Sequence, residues 1–270
     1  MKYKFKNTIV ALVLTLILGA CGSAGNNDPN VLRVGVEAGP EYNLAEAAQK
    51  VAKEKYNLDV KLVSFTDYIM PNEALKNNDI DVNVFQTRPY LEGQSAVRGY
   101  EFEVLGNTFV YPMAAYSKKI KSIDQLQEGN VIAIPNDPSN LGRALLLMQQ
   151  VGLIQLDDNI GLLPTKQNIK ENRLKLEILE IEAPQLPRTL DDNKVTAAII
   201  NSNFAAKNNL IAKKDGIFLE DEKSPYVNII VSRKDNKDDE KVKKFVEAYQ
   251  SAEVEAQAEK EFKGGAVKGW

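Results

Sequence analysis

The sequence predicts an α/β protein folded as two lobes, and three observations lead there. Short β-branched runs at residues 31–36 (VLRVGV), 60–65 and 80–85 alternate with helical spacings, the order expected of parallel βαβ units. The alternation resumes with strands at 131–134, 174–181 and 196–200 and a helix at 140–151. Two long apolar, extended segments, residues 107–116 (NTFVYPMAAY) and 224–232 (SPYVNIIVS), suit two passages between lobes. Lobe one is therefore expected over residues 31–110 plus 226–270, and lobe two over 111–225.

The elements follow in order from local signals. Leu44, Ala47, Ala48, Val51 and Ala52 fall on one face of a helix expected over residues 43–56. Asn43 and Glu46 have the spacing of a capping box, and Asn57 suits a left-handed end. Residues 72–78 read as a short helix. Near the C-terminus Val242, Phe245, Val246 and Tyr249 keep helical spacing, and a last helix is expected over 252–262, ended by Gly264 and Gly265.

The first 30 residues stand apart. Lys2, Lys4 and Lys6 precede an apolar run over residues 9–18, too short to span a bilayer, and then Leu18-Gly19-Ala20-Cys21. The pattern is that of a secretory signal (residues 1–20) ending in a bacterial lipobox, with Cys21 the lipidated residue. Residues 21–30 then form the lipidated cysteine and a polar tether. Cys21 is the only cysteine, so no disulfide can form within the chain.

Composition excludes several chemistries. The 270 residues carry 34 basic and 37 acidic side chains and no histidine. Taking the three lysines of residues 1–20 from the 34 leaves 31 against 37, a net charge of −6, which disfavours nucleic acid. Without histidine there is no Ser-His-Asp triad, Cys-His dyad or His-ligated zinc. No Gly-rich phosphate loop or nucleophile elbow is present, and neither cofactor nor metal is expected.

Three groups of residues could bind a small molecule. Residues 135–143 (PNDPSNLGR) follow a strand and open a helix, with Asp137 to cap it and Pro138 at its first turn. Asn140 and Arg143 share a face there, and the Arg143 fork can take a carboxylate in two parallel bonds. The alternative is a plain capped helix with Arg143 on a solvated face. Phe65, Tyr68, Phe85 and Tyr90 lie just beyond two strands and could line an apolar pocket, or equally belong to an ordinary core. Asn201, at a strand end, and Asn228, inside an extended segment, offer amides that suit the two ends of a zwitterion, although loop asparagines are usually turn formers. The charged run over 233–244 reads as a solvated face.

Residues 72–75 (NEAL), 106–112 (GNTFVYP), 135–143, 183–188 (APQLPR), 224–228 (SPYVN) and 264–270 (GGAVKGW) together resemble the NlpA/MetQ lipoprotein family, methionine-binding components of ABC importers. The resemblance covers nearly all of the mature chain. It implies a type II periplasmic-binding-protein fold, two α/β lobes around an inter-lobe ligand cleft, and a binding protein rather than an enzyme. It further implies that Arg143 and Asn140 hold the ligand carboxylate, that Phe65, Tyr68, Phe85 and Tyr90 surround its side chain, and that Asn201 and Asn228 bond its backbone end. The implied partners are an amino-acid ligand, a permease with its ATPase, and a membrane reached through the lipid; the implied state is a monomer. The implied location is the bacterial cell envelope, anchored on the extracytoplasmic side. One departure stands in the pocket: Thr87 replaces a histidine of well-matched relatives, and residues 37–43 (EAGPEYN) also differ. Methionine or a close relative is the expected ligand; another amino acid, a short peptide, a surface enzyme and a structural lipoprotein are the alternatives.

Overall fold

The structure is a computed structural model and describes residues 30–221 and 224–270. The expected signal segment 1–20, Cys21 and all of the tether but Asn30 lie outside the described residues. The chain opens with β1 (Val31–Glu37), α1 (Pro40–Tyr56), β2 (Asp59–Phe65), α2 (Met70–Lys76), β3 (Val82–Thr87), α3 (Arg88–Arg98) and β4 (Phe102–Val110). It continues with β5 (Ala114–Tyr116), β6 (Val131–Pro135), α4 (Pro138–Gln150), β7 (Gln155–Leu156), β8 (Ile169–Glu171), β9 (Glu177–Ile181), α5 (Leu186–Thr189) and β10 (Val195–Ile200). After α6 (Ser202–Lys207), α7 (Ala212–Asp215) and β11 (Gly216–Leu219) come β12 (Val227–Arg233), α8 (Glu240–Tyr249), α9 (Ala252–Phe262) and β13 (Val267–Lys268).

Two sheets carry the fold. The first has the order β13-β4-β12-β3-β1-β2 and the second the order β11-β5-β10-β6-β9. The strands β1, β2 and β3 run parallel, as do β10, β6 and β9. The chain passes from the first sheet to the second through Tyr111, Pro112 and Met113, and returns to the first at β12, which pairs antiparallel with both β3 and β4.

Each sheet has its own apolar layers. Leu32, Val34 and Val36 of β1 face Leu44, Ala48, Val51 and Ala52 of α1, with Phe245 and Tyr249 of α8 and Val254 and Phe262 of α9 closing the layer. On the opposite face of the same sheet Leu75, Ile80, Leu91, Ile229 and Val231 pack together. In the second sheet Ile132, Ile134 and Ile199 meet Leu145 and Met148 of α4, and Ala198 and Ile200 meet Leu186 and Phe204. Full burial of one of these Leu, Ile, Val, Met or Phe side chains contributes about 1.5–3 kcal/mol.

Several elements depart from the sequence expectations for identifiable reasons. Helix α1 starts at Pro40 rather than residue 43: Gly39 takes φ +103° and Pro40 supplies a preset first turn, so Asn43 and Glu46 lie inside the helix and form no capping box. Its end is as expected, with Asn57 left-handed at φ 51°. The strand β9 begins at Glu177 because Lys175 turns at φ 47°. The extended segment 107–116 is two strands broken at Tyr111-Pro112-Met113, where Pro112 has no N–H to give a ladder. Helix α3 had no apolar stripe to announce it, since only Tyr90 and Leu91 are buried in it.

Candidate functional site: a cavity between the two sheets

Parallel strands put their carboxyl ends on one side, and in open α/β sheets ligands gather there. In this chain those ends face each other across a cavity with about 380 Å³ of empty space, mouth included. From the first sheet's side the walls are Glu41, Tyr68, Phe85, Gln86, Thr87, Tyr90 and Asn228. From the second come Asn140, Arg143, Asn201, Ser202 and Asn203, with Tyr111 between.

An aromatic cage forms one end. The Phe85 and Tyr90 rings meet edge to face at 6.1 Å, and Tyr68 stands 6.0 Å from Phe85 and 5.8 Å from Tyr90. The Tyr90 hydroxyl donates to the Tyr68 carbonyl at 2.8 Å and fixes the loop after β2. Phe65 does not line the cavity. It is the last residue of β2, and its ring stands over Gly35, packing with the layer of Leu75 and Ile80. Thr87 caps α3, its Oγ1 accepting from the Tyr90 N–H at 3.4 Å, so its hydroxyl is partly committed to the helix.

The other end is polar and buried. Arg143 is only 4 % exposed, which rules out the solvated face. Its Nε donates to Glu220 Oε1 at 2.7 Å and its Nη2 to Glu220 Oε2 at 2.6 Å, while Nη2 also reaches the Tyr111 carbonyl at 2.9 Å. The guanidinium lies over the Tyr226 ring at 4.5 Å. Burial pulls the Arg143 pKa down, but Glu220 more than offsets it and the group stays charged. Nη1 has no hydrogen-bond partner among the described residues.

The asparagines have distinct positions. Asp137 caps α4 by accepting from the Asn140 N–H at 3.0 Å, and Asn140 Nδ2 donates to both Asp137 oxygens, at 3.1 and 2.9 Å. One Asn140 amide N–H is thereby directed at Asp137, and its Oδ1 accepts from Asn201 Nδ2 at 2.7 Å. Asn140 thus orients Asn201, whose own Oδ1 is buried and without a partner among the described residues. Asn228 pairs with Thr87 in the sheet and donates from Nδ2 to the Phe85 carbonyl at 3.2 Å. Beneath the floor, Asn72, Asn83 and Gln86 bond one another at 2.8–3.0 Å and lock the end of β3.

Contacts from both sides close the cavity. The Tyr68 hydroxyl donates to Asn203 Oδ1 at 2.6 Å, and Lys207 Nζ meets Glu37 Oε2 at 3.3 Å. Glu37 is fully buried; burial pushes its carboxyl up to about 8, against the pull of Lys207. Glu41, Gln86, Tyr111, Ser202 and Asn203 escaped the sequence reading. Gly39-Pro40-Glu41 directly after a strand was a usable signal, because Pro40 at a helix start puts Glu41 in the first turn at a strand's carboxyl end. Glu220 had no comparable local signal.

The model of a family described as NlpA lipoprotein matches residues 32–270. The chain is 58 % identical over 272 residues, covering 100 % of both sequences, to the D-methionine-binding lipoprotein MetQ of Escherichia coli K12. A crystal structure of the methionine-binding protein MetQ superposes with a TM-score of 0.89 at 61 % identity, covering 90 % of this chain and 99 % of that one. A nutrient-binding protein from Burkholderia cenocepacia, solved bound to methionine, superposes with a TM-score of 0.86 at 47 % identity, covering 88 % and 100 %.

Proposed function

This chain belongs to the NlpA lipoprotein family, and on that premise we propose that it captures methionine, or a closely related amino acid, between its two halves and delivers it to an ABC importer. The observation that carries this reading is the polarity of the cavity. An aromatic cage suited to a thioether side chain stands at one end, and a buried guanidinium with one amino group unpaired stands at the other.

The proposed division of labour follows from which atoms are left over. Arg143 Nη1 takes the ligand carboxylate. Tyr68, Phe85 and Tyr90 receive the side chain, with Thr87 at the edge of that pocket. Asn201 and Asn228 bond the backbone end, and Asn140 acts through Asn201. Phe65 supports the floor from behind. The halves, residues 31–110 with 226–270 and residues 111–225, close as hinged bodies about the two crossovers, the closed state being favoured by contacts the ligand makes only there. No reaction is assigned to the site. Closure then presents a surface to a permease driven by an ATPase, while the protein acts as a monomer tethered through lipid on Cys21 to the extracytoplasmic side of a membrane.

Mass spectrometry of small molecules released by denaturing the purified full-length protein tests the reading. Methionine in near-stoichiometric amount is expected. A protein that releases no amino acid or short peptide, and binds none after refolding, would contradict it.

A further inference from the structure

Glu41 is 4 % exposed, stands on the cavity wall and has no hydrogen bond or ion pair among the described residues. A buried carboxyl without a partner is costly, and a ligand cation relieves that cost. Its surroundings narrow the choice. Glu37 lies behind it on β1, and the cation nearby, Lys207 on α6, is bonded to Glu37. Two buried carboxyls therefore stand beside one ammonium, and only Glu37 is bonded to it. The phenols facing Glu41 are Tyr68, Tyr111 and Tyr249 on α8. Tyr68 donates to Asn203 instead. At the far wall Arg143 is already neutralised by Glu220. Asn201 Oδ1, buried and unpartnered, adds a second acceptor on the cavity wall.

We infer that Glu41 receives the α-ammonium of the ligand, so that the site selects solutes with a free amino group and rejects acids of the same shape that lack one. This rests on the binding role proposed above and deepens it. The ligand ammonium brings a positive charge and three donors, enough for Glu41 and Asn201 Oδ1 together. A second consequence follows. Burial, with the Glu37 charge beside it and Lys207 pulling the other way, holds the Glu41 carboxyl well above the usual carboxylate range while the site is empty. Capture ionises it, so a proton leaves as the ligand enters and affinity rises with pH.

The test is calorimetric titration of the full-length, ligand-stripped protein with methionine and with 2-hydroxy-4-(methylthio)butanoate, the same acid with hydroxyl in place of ammonium. The wild-type protein should favour methionine by roughly 100-fold or more, as a site left with unpaired buried polar groups rejects an analogue. Glu41→Gln should cut that preference at least about 10-fold, the loss of a charged hydrogen bond. A smaller cut, or a wild-type protein that binds the hydroxy acid as tightly as methionine, overturns the inference. If Glu41→Gln does not fold, the wild-type pair of titrations decides alone. A wild-type protein that binds neither compound and no other amino acid overturns the binding role itself, and that outcome is distinct from undiminished binding with no preference for the amine.

Discussion

The Arg143 guanidinium and the Glu220 carboxylate meet as a two-point fork, Nε to Oε1 at 2.7 Å and Nη2 to Oε2 at 2.6 Å, with both side chains buried. The pair also ties down both crossovers. Glu220 Oε2 accepts from the Met113 N–H at 2.9 Å, the Glu220 N–H donates to the Met113 carbonyl at 2.9 Å, and Arg143 holds the Tyr111 carbonyl. One ion pair thus fixes the place where the chain leaves the first sheet and the place where it starts back. Arg143 is thus a structural strut through one edge, and Nη1 is the donor proposed for the ligand.

Arg143→Ala should therefore fail in two measurements. Removing one partner of a buried pair costs about 3–5 kcal/mol of stability, read as a lower urea midpoint. Methionine affinity should fall by ~10-fold or more in calorimetry. Unchanged affinity in a folded variant would remove Arg143 from the ligand site.

Glu37 makes stability depend on pH. Its folded pKa of about 8 stands above the ordinary carboxylate value, so from about pH 4.5 to 8 the folded state holds a proton that the unfolded chain has released. Stability from this group is present at low pH and is lost as pH rises through that window. Glu37→Gln should flatten the slope between pH 5 and 8, which urea unfolding at several pH values will show; an unchanged slope would contradict the burial argument.

Gly142 precedes Arg143 where residues 162–164 cross α4. A Cβ there would stand 2.7 Å from the Leu162 carbonyl oxygen and 3.0 Å from Leu163 Cα, both backbone atoms that cannot swing aside. Gly142→Ala should destabilise the protein by about 1–3 kcal/mol and weaken ligand binding by displacing Arg143. Thermal unfolding together with titration checks both effects.

Thr87→Val keeps the volume of the side chain but removes the acceptor for the Tyr90 N–H. The lost cap should cost about 1 kcal/mol of stability, and Thr87→Ser should restore it. Equal unfolding midpoints for all three proteins would show that the hydroxyl does not cap.

Much of this architecture was legible from periodicity. The buried strands β1, β6 and β10, the capped start of α4 at Asp137 and the amphipathic α8 all carried local signals that tertiary packing reinforced. What escaped depended on partners distant in sequence. Nothing near Arg143 announces Glu220, 77 residues away, so its fork looked free for a ligand. Phe65 and Phe85 looked equivalent as aromatic strand ends, yet one faces a sheet layer and the other the cavity, a distinction set by the pairing of whole strands. Glu41 was hidden because Asn43 offered a better-looking cap than a glycine whose positive φ does the work.

The most direct test of the account is a crystal structure of the protein grown with methionine. It should show the ligand in the cavity between the sheets, with a carboxylate oxygen within about 3 Å of Arg143 Nη1 and the thioether among Tyr68, Phe85 and Tyr90. Methionine bound elsewhere, with only water against Arg143 Nη1, would contradict it.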